Sequence, residues 1–295
     1  FSLAGAQAKT AFHLDPVMGR WGLPEGSIPT THIFKPPIPD FKGHTENEHF
    51  CLRLAQAVGM HAANSAVMEF AGEKAIVVER YDRLAEDGVV YRIHQEDMCQ
   101  ALNVHPASKY EGQGGPGITR IIKDVLAKSD APEIDRERFM EAIVFNFLIA
   151  GTDAHAKNFS MLLDYDNSAR LAPLYDIASI LPHLGKGQVE AERRELKMAM
   201  RVSDKYLLTD ILPRHWEQAA HKAGYSAETT LALLRHHIAV LPDLAVQTAA
   251  RCRNEGIDHP VIDRLVDLIS ARIASLRTSY GAEILPETER AEFNN

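Results

Sequence analysis

Asp153, Asn158 and Asp176 are the residues whose types and spacing could carry chemistry. They sit in Gly151-Thr152-Asp153-Ala154-His155-Ala156-Lys157-Asn158 and in Leu174-Tyr175-Asp176-Ile177. A carboxylate, an amide five positions later and a second carboxylate beyond a hairpin are the groups that phosphoryl transfer requires. The first carboxylate orients or deprotonates an attacking hydroxyl. The amide oxygen and the second carboxylate hold Mg²⁺ on the phosphates. The Asp-to-Asn spacing alone is a weak signal, because a turn or helix-capping Asp looks the same. It gains weight from the apolar run before it and from the hairpin and Asp176 after it. His155 and Lys157 lie between Asp153 and Asn158. Each has a plain reading as a loop residue facing solvent and a functional one as a phosphate contact, with Lys157 placed to neutralise charge on the transferred group.

These groups need elements to hold them. Apolar residues fill 139–150 nearly all round, which predicts a buried helix ending just before Asp153. Two short strands, 160–163 and 169–174, are predicted around the turn Asp164-Tyr165-Asp166-Asn167. Upstream, strands are expected at 9–14, 30–35 and 75–78, and a helix at 46–58, where Phe50, Leu54 and Val58 recur every four residues before Gly59. Lys35 ends the strand Thr-Thr-His-Ile-Phe-Lys, stopped by Pro36-Pro37, and can reach phosphates as a point charge. Glu46 and Glu48 are both candidates to hold it, and both equally suit the first turn of a helix. The stretch 2–10 has small residues where a backbone could approach phosphates, with no Walker or GxGxxG pattern. Glu79-Arg80-Tyr81 closes a strand between the two halves, where an adenine edge could be read. Gly112–Gly117 contains Pro116, which has no N–H, and is expected to be a tight loop near the cleft rather than a phosphate loop. His236 and His237 are adjacent on a helix and so face different ways. From 209 to 281 the pattern is helical.

The expected fold class is therefore α+β and bilobal, protein-kinase-like. Residues 1–90 form a β-rich N-lobe truncated at its start, 91–282 a mainly helical C-lobe and 283–295 a polar tail. The nucleotide is expected in the cleft between the lobes.

Bulk properties exclude several classes. The 295 residues suffice for two lobes, and 45% hydrophobic with 24% charged residues is ordinary for a globular chain. A net charge of −8 argues against a chain-wide nucleic-acid surface. Three scattered cysteines without a CxxC argue against a disulfide framework or a structural zinc site, and suit a reducing, cytoplasmic setting. No apolar run reaches ~18 residues, so no membrane span is expected. The chain opens at Phe1 directly inside a motif, so upstream sequence is expected, either removed or carried by another chain.

The motifs together resemble the HipA family, the toxin kinases of bacterial toxin–antitoxin modules. The resemblance rests on Ser2-Leu3-Ala4-Gly5-Ala6-Gln7 with Lys9-Thr10, Pro29 to Ile33 before Lys35, and Glu79-Arg80-Tyr81-Asp82-Arg83. It also rests on Gln95 to Gln100, Gly114-Gly115-Pro116-Gly117, Thr152-Asp153 to Ser160, and Tyr175-Asp176-Ile177. It implies a HipA-like serine/threonine protein kinase using ATP and Mg²⁺. By matching position it implies Asp153 as the catalytic Asp, Asn158 and Asp176 as metal-binding, and Lys35 on the phosphates. It implies nucleotide contacts from Ala4, Gly5, Ala6, Gln7, Ala8 and Lys9, from Glu79, Arg80 and Tyr81, from His155, Ala156, Lys157 and Asn158, and from Tyr175, Asp176, Ile177 and Ala178. Ser2 matches the family's autophosphorylated serine, whose modification expels the loop and silences the enzyme, as a dianion beside ATP phosphates would.

The implied partners are a small helix-turn-helix (HipB-like) antitoxin that represses the operon, and a protein substrate, an aminoacyl-tRNA synthetase in the family. A separate N-terminal subdomain protein is also implied, and DNA is reached only through the antitoxin complex. Two departures stand out: Ala8 occupies the usual place of a Glu, and the upstream subdomain is missing. The stretch matching the family's basic DNA-contacting region, near His221-Lys222, is thinly basic. The residues also leave open a small-molecule kinase acting on a sugar or aminoglycoside, and a catalytically silent antitoxin-binding fragment.

Overall fold

A five-stranded antiparallel sheet forms the first part of the fold, in the order β2-β1-β3-β5-β4. The computed structural model describes residues 8–281, apart from 16–17, 25, 27, 87–88, 166–167 and 186–187. The strands are β1 (Thr10–Leu14), β2 (Trp21–Gly22), β3 (His32–Lys35), β4 (Ser65–Phe70) and β5 (Glu73–Glu79). The two-residue period of β3 sorts its side chains. His32 and Phe34 face outward against Trp21, with Phe12 and Phe70 completing edge-on and tilted ring contacts around Phe34. Ile33 and Lys35 face the other way, into the cleft. Lys35 pairs across to Ile76 in β5, and His32 to Glu79, so both ends of the β3–β5 ladder border that cleft.

Helix α1 (His44–Ala57) follows β3 and is buried over most of its length. Its two sides explain this: it packs on β4 and β5 and also on α6 (Ala227–Asn254) and α7 (Val261–Tyr280) of the helical part. Its cap, Gly43, has φ 76°, and a Cβ there would lie 2.6 Å from the His259 ring between α6 and α7. Only glycine meets both demands. Gly59, φ 99°, follows the helix end as expected for a C-terminal glycine.

The remaining elements run from β6 (Arg83–Glu86) and β7 (Val89–Arg92), a hairpin, to β8 (His94–Asp97) and the short α2 (Met98–Ala101) and α3 (Ile118–Arg120). Then come α4 (Pro132–Ile149), the hairpin β9 (Ser160–Leu163) and β10 (Ala169–Leu171), the hairpin β11 (Lys197–Val202) and β12 (Lys205–Leu207), and α5 (Pro213–Ala223). β8, β9 and β10 form a second antiparallel sheet. From Phe139 onward α4 is enclosed nearly all round, and buried apolar side chains from Phe50 to Tyr280 form one continuous cluster.

The strand expected at 160–163 is present with those ends, and the strands expected at 9–14, 30–35 and 75–78 and the buried helix before Asp153 are present with shifted ends. β10 is shorter than expected, and its turn lies partly outside the described residues. Strands β2, β4, β6, β7, β8, β11 and β12 were not foreseen. Cys51, Cys99 and Cys252 are buried free thiols. Among the described residues no helix is long and apolar enough to cross a membrane.

Candidate functional site

A cavity of about 800 Å³ lies between the five-stranded sheet and the helical part. It takes Asp153, Asn158, Asp176 and Lys35 into one wall system, together with Ala8, Lys9, Glu79, Arg80, Tyr81, His155, Lys157, Tyr175 and Ala178. Ala156 and Ile177 are the exceptions: their side chains are buried in the core and neither borders the cavity. Ser2, Ala4, Gly5, Ala6 and Gln7 lie outside the described residues, as does the stretch 283–295.

The Lys35 ammonium donates to Glu48 Oε1 at 2.6 Å and to Asp176 Oδ1 at 2.9 Å. Glu48, not Glu46, is thus the helix partner; the Glu46 carboxylate lies 3.6 Å from Lys74 Nζ. Burial alone would push the lysine down, but the two carboxylates outweigh it and hold it above its ordinary value. Burial pushes Glu48 up, against the pull of Lys35. Burial would also raise Asp176, but Lys35 and then Lys9 hold it below the usual carboxylate range. Asp176 faces the cavity, and 39% of its side-chain surface is open. Its φ of 59° is uncommon for a non-glycine residue. The segment is held there by its neighbours. Asn47 of α1 donates to the Ser179 carbonyl at 2.7 Å and accepts from its N–H at 3.1 Å. The Ser179 hydroxyl donates to the Ile149 carbonyl at 2.6 Å.

Asp153 follows the end of α4. Ala150 takes a left-handed conformation, φ 55°, and a Cβ on Gly151 would overlap Asn146 Oδ1. This tight exit throws Asp153 into the cavity with 69% of its side chain exposed. Asn158 Nδ2 donates to the Asp153 carbonyl at 2.9 Å, which closes the loop on itself and leaves the amide oxygen as the free end. His155 Nε2 lies 3.9 Å from Asp153 Oδ2, and burial pushes its imidazole down. Lys157 does not stand free: it is ion-paired to Asp97, the residue that caps α2. The Tyr175 hydroxyl donates to the Lys157 carbonyl at 2.7 Å and lies 2.6 Å from Ser160 Oγ.

At the β5 end, Tyr81 packs near Tyr175, with ring centroids 5.6 Å apart. The Arg80 guanidinium is clamped by both Asp82 oxygens, at 2.9 and 2.7 Å. The N–H groups of Glu79 and Arg80 are spent on the carbonyls of Asn64 and Thr31. Neither is left to read a base edge.

Sequence reasoning missed one contact altogether. The Tyr110 hydroxyl donates to Asp153 Oδ1. Glu48 was visible only as one of two options, and Asp97 only as part of a motif.

The donor set suits a hard divalent cation: Asn158 and Asp176, both at the cavity wall, offer an amide oxygen and a carboxylate oxygen. Among the described residues no three His, Cys, Asp or Glu side chains form a metal cluster. Magnesium commonly takes one or two carboxylates and completes its shell with phosphate oxygens and water. Three buried polar atoms of cavity-lining residues, Glu48 Oε2, Gln95 Oε1 and His155 Nδ1, have no partner among the described residues.

The model of the HipA-like C-terminal domain matches residues 1–244. The chain belongs to the HipA-like family. It is 38% identical over 283 residues to the "Putative kinase Y4mE" of Sinorhizobium fredii, a match covering 94% of this chain and 64% of that protein. It is 30% identical over 219 residues to the serine/threonine-protein kinase toxin HipA of Shewanella oneidensis, covering 70% of this chain and 47% of that one. The chain thus spans between about half and two thirds of these curated relatives. Among solved structures it superposes on HipA of Shewanella oneidensis, in complex with HipB and operator DNA, with a TM-score of 0.79 at 23% identity. That match covers 95% of this chain and 65% of the other. The Helicobacter pylori proinflammatory kinase CtkA gives a TM-score of 0.55 at 9% identity, covering 90% and 92%. The fold is therefore the HipA-like, kinase-like α+β fold that the motifs led one to expect.

Proposed function

We propose that this HipA-like chain is an ATP-dependent serine/threonine protein kinase and the toxin of a toxin–antitoxin pair. The observation that carries the reading is the convergence of Asp153, Asn158, Asp176 and the Lys35–Glu48 pair on one cavity. In this reading Lys35 holds the α- and β-phosphates, and Asp153 orients the substrate hydroxyl and accepts its proton. The hydroxyl oxygen bonds to the γ-phosphorus, the bond to the bridging oxygen breaks, and ADP leaves. Asn158 Oδ1 and Asp176 would hold Mg²⁺, which neutralises phosphate charge when bound. Tyr81 and Tyr175 offer a stacking surface for the base.

A protein acceptor is favoured by the Shewanella oneidensis relative, whose name is that of a serine/threonine-protein kinase toxin. A HipB-like antitoxin partner, with DNA reached through it, is favoured by the complex in which that HipA was solved. An aminoacyl-tRNA synthetase target and silencing through Ser2 complete the proposal.

Transfer of label from radiolabelled ATP to proteins of a bacterial lysate tests it. Wild-type chain is expected to label a synthetase-sized band with Mg²⁺ present. Asp153→Asn is expected to lose about a hundredfold or more of that transfer. Equal labelling by both would overturn the reading.

A further inference from the structure

The glycine-rich loop 112–117 has no part in the reading above, yet it is built to present one side chain. Tyr110 precedes it, and its hydroxyl donates to Asp153 Oδ1. The N–H groups of Gln113 and Gly115 both donate to the Tyr110 carbonyl at 3.0 Å. A Cβ on Gly115 would overlap the Ser108 carbonyl oxygen, and one on Gly117 the Glu111 carboxylate. At Gly115 the obstacle is backbone, so only glycine there lets the loop close this tightly.

Glu111 then fastens the loop to β11. It accepts from the Arg201 N–H at 2.7 Å and pairs with the Arg201 guanidinium at 2.8 Å. On the other side the Ala156 N–H donates to the Lys109 carbonyl at 3.3 Å, and the Tyr110 ring meets His155 edge-on at 5.1 Å. The phenol is thus fixed from three directions. Asp153 lines the cavity, and the Tyr110 hydroxyl reaches it from the segment that leads into the loop. Burial and the bond to Asp153 push the phenol up, so it stays a donor at neutral pH.

We propose that Tyr110 is a positioning residue for Asp153. By tying down Oδ1 it fixes the rotation of the carboxylate and leaves Oδ2 as the one oxygen that meets the incoming hydroxyl. The proposal rests on the reading that Asp153 receives that hydroxyl. A mobile carboxylate would spend most of its time misaligned, and small misplacements of a reacting group cost up to about a hundredfold in rate.

The test measures initial rates of label transfer from ATP to a fixed lysate, with KM for ATP and melting temperature. It covers wild type, Tyr110→Phe, Asp153→Asn and the double variant. Tyr110→Phe is expected to lose about ten- to a hundredfold in maximal rate, with KM for ATP within about twofold. In the Asp153→Asn background the same change is expected to add less than about twofold, since its effect runs through that carboxylate. Gly115→Ala, which displaces the loop, should reproduce the rate loss. Gly112→Ala, whose Cβ meets nothing nearer than Tyr206 Oη at 4.0 Å, should not.

Wild-type rate in Tyr110→Phe, with Asp153→Asn dead, would overturn the proposal and leave the Asp153 reading standing. A faster Tyr110→Phe would mean that the phenol blocks the acceptor, and would overturn it too. So would a loss that appears equally in KM for ATP and in melting temperature. Full activity of Asp153→Asn would sink the Asp153 reading itself, and the Tyr110 proposal with it.

Discussion

Lys35 serves as counter-ion to two carboxylates at once, and this makes it structural as well as catalytic in the proposed reading. Its side chain is 9% exposed and that of Glu48 is 1% exposed. Replacing it by Met keeps the length and the apolar stem but leaves Glu48 buried without its cation. Removing one member of a buried pair typically costs about 3–5 kcal/mol, because the other charge stays uncompensated. Lys35→Met is therefore expected to lower the unfolding free energy, measured by denaturant titration, by about that much. Lys35→Met with Glu48→Gln is expected to recover more than half of the loss. Both variants should lose the melting shift that nucleotide gives the wild type. A double variant no more stable than the single one would rule out the buried-charge account. The choice between Glu46 and Glu48 could not be made from sequence. Two positions apart, they point to nearly opposite sides of the helix. Because α1 is packed on both sides, its hydrophobic pattern does not say which side faces Lys35.

The end of α4 shows how an element aims a side chain. Ala150 reverses the chain, Gly151 slides against Asn146, and the Gly151 N–H donates to the Asn146 carbonyl at 2.7 Å. Gly151→Ala would force Asn146 or the whole loop to move. The expected outcome is a loss of about 1–3 kcal/mol in urea unfolding and a fall in transfer rate larger than the stability loss explains. Unchanged rate and midpoint would show that the exit has slack. α4 itself was legible because its apolar run is long, and β3 because β-branched and aromatic residues end at a Pro-Pro stop. β11, Lys-Met-Ala-Met-Arg-Val, was not: only its last residue is β-branched, and its strand state comes from pairing with β12 and packing on α3 and α5. β8, His-Gln-Glu-Asp, carries no apolar signal and is a strand because β9 pairs with it. The same limit hid Tyr110. It lies 43 residues from Asp153, and no local spacing encodes a contact that a folded loop creates.

Over the whole molecule, the helical part sets an acid limit on stability. His237 of α6 is fully buried and donates through Nδ1 to the Leu233 carbonyl at 2.9 Å. Burial, with His236 beside it, pushes its imidazole down to about 4 from an ordinary value near 6.5. Glu141 of α4 stands 3.4 Å from Nε2, and burial pushes that carboxyl up. The depressed histidine means that the unfolded chain binds more protons than the folded one between about pH 6.5 and 4. Its contribution is fully present above pH 6.5 and is lost as the pH falls through this window. Between pH 7.5 and 5 the loss from this one group should be about 2 kcal/mol. Urea titrations of wild type and His237→Leu at both pH values measure it. The readout is the change of unfolding free energy with pH rather than its starting value, and that change should be smaller in the variant by about that amount. Equal changes in the two proteins would show that acid destabilisation arises elsewhere, with His44 at the cavity, pushed down to about 4 by burial and by His183, the next group to replace.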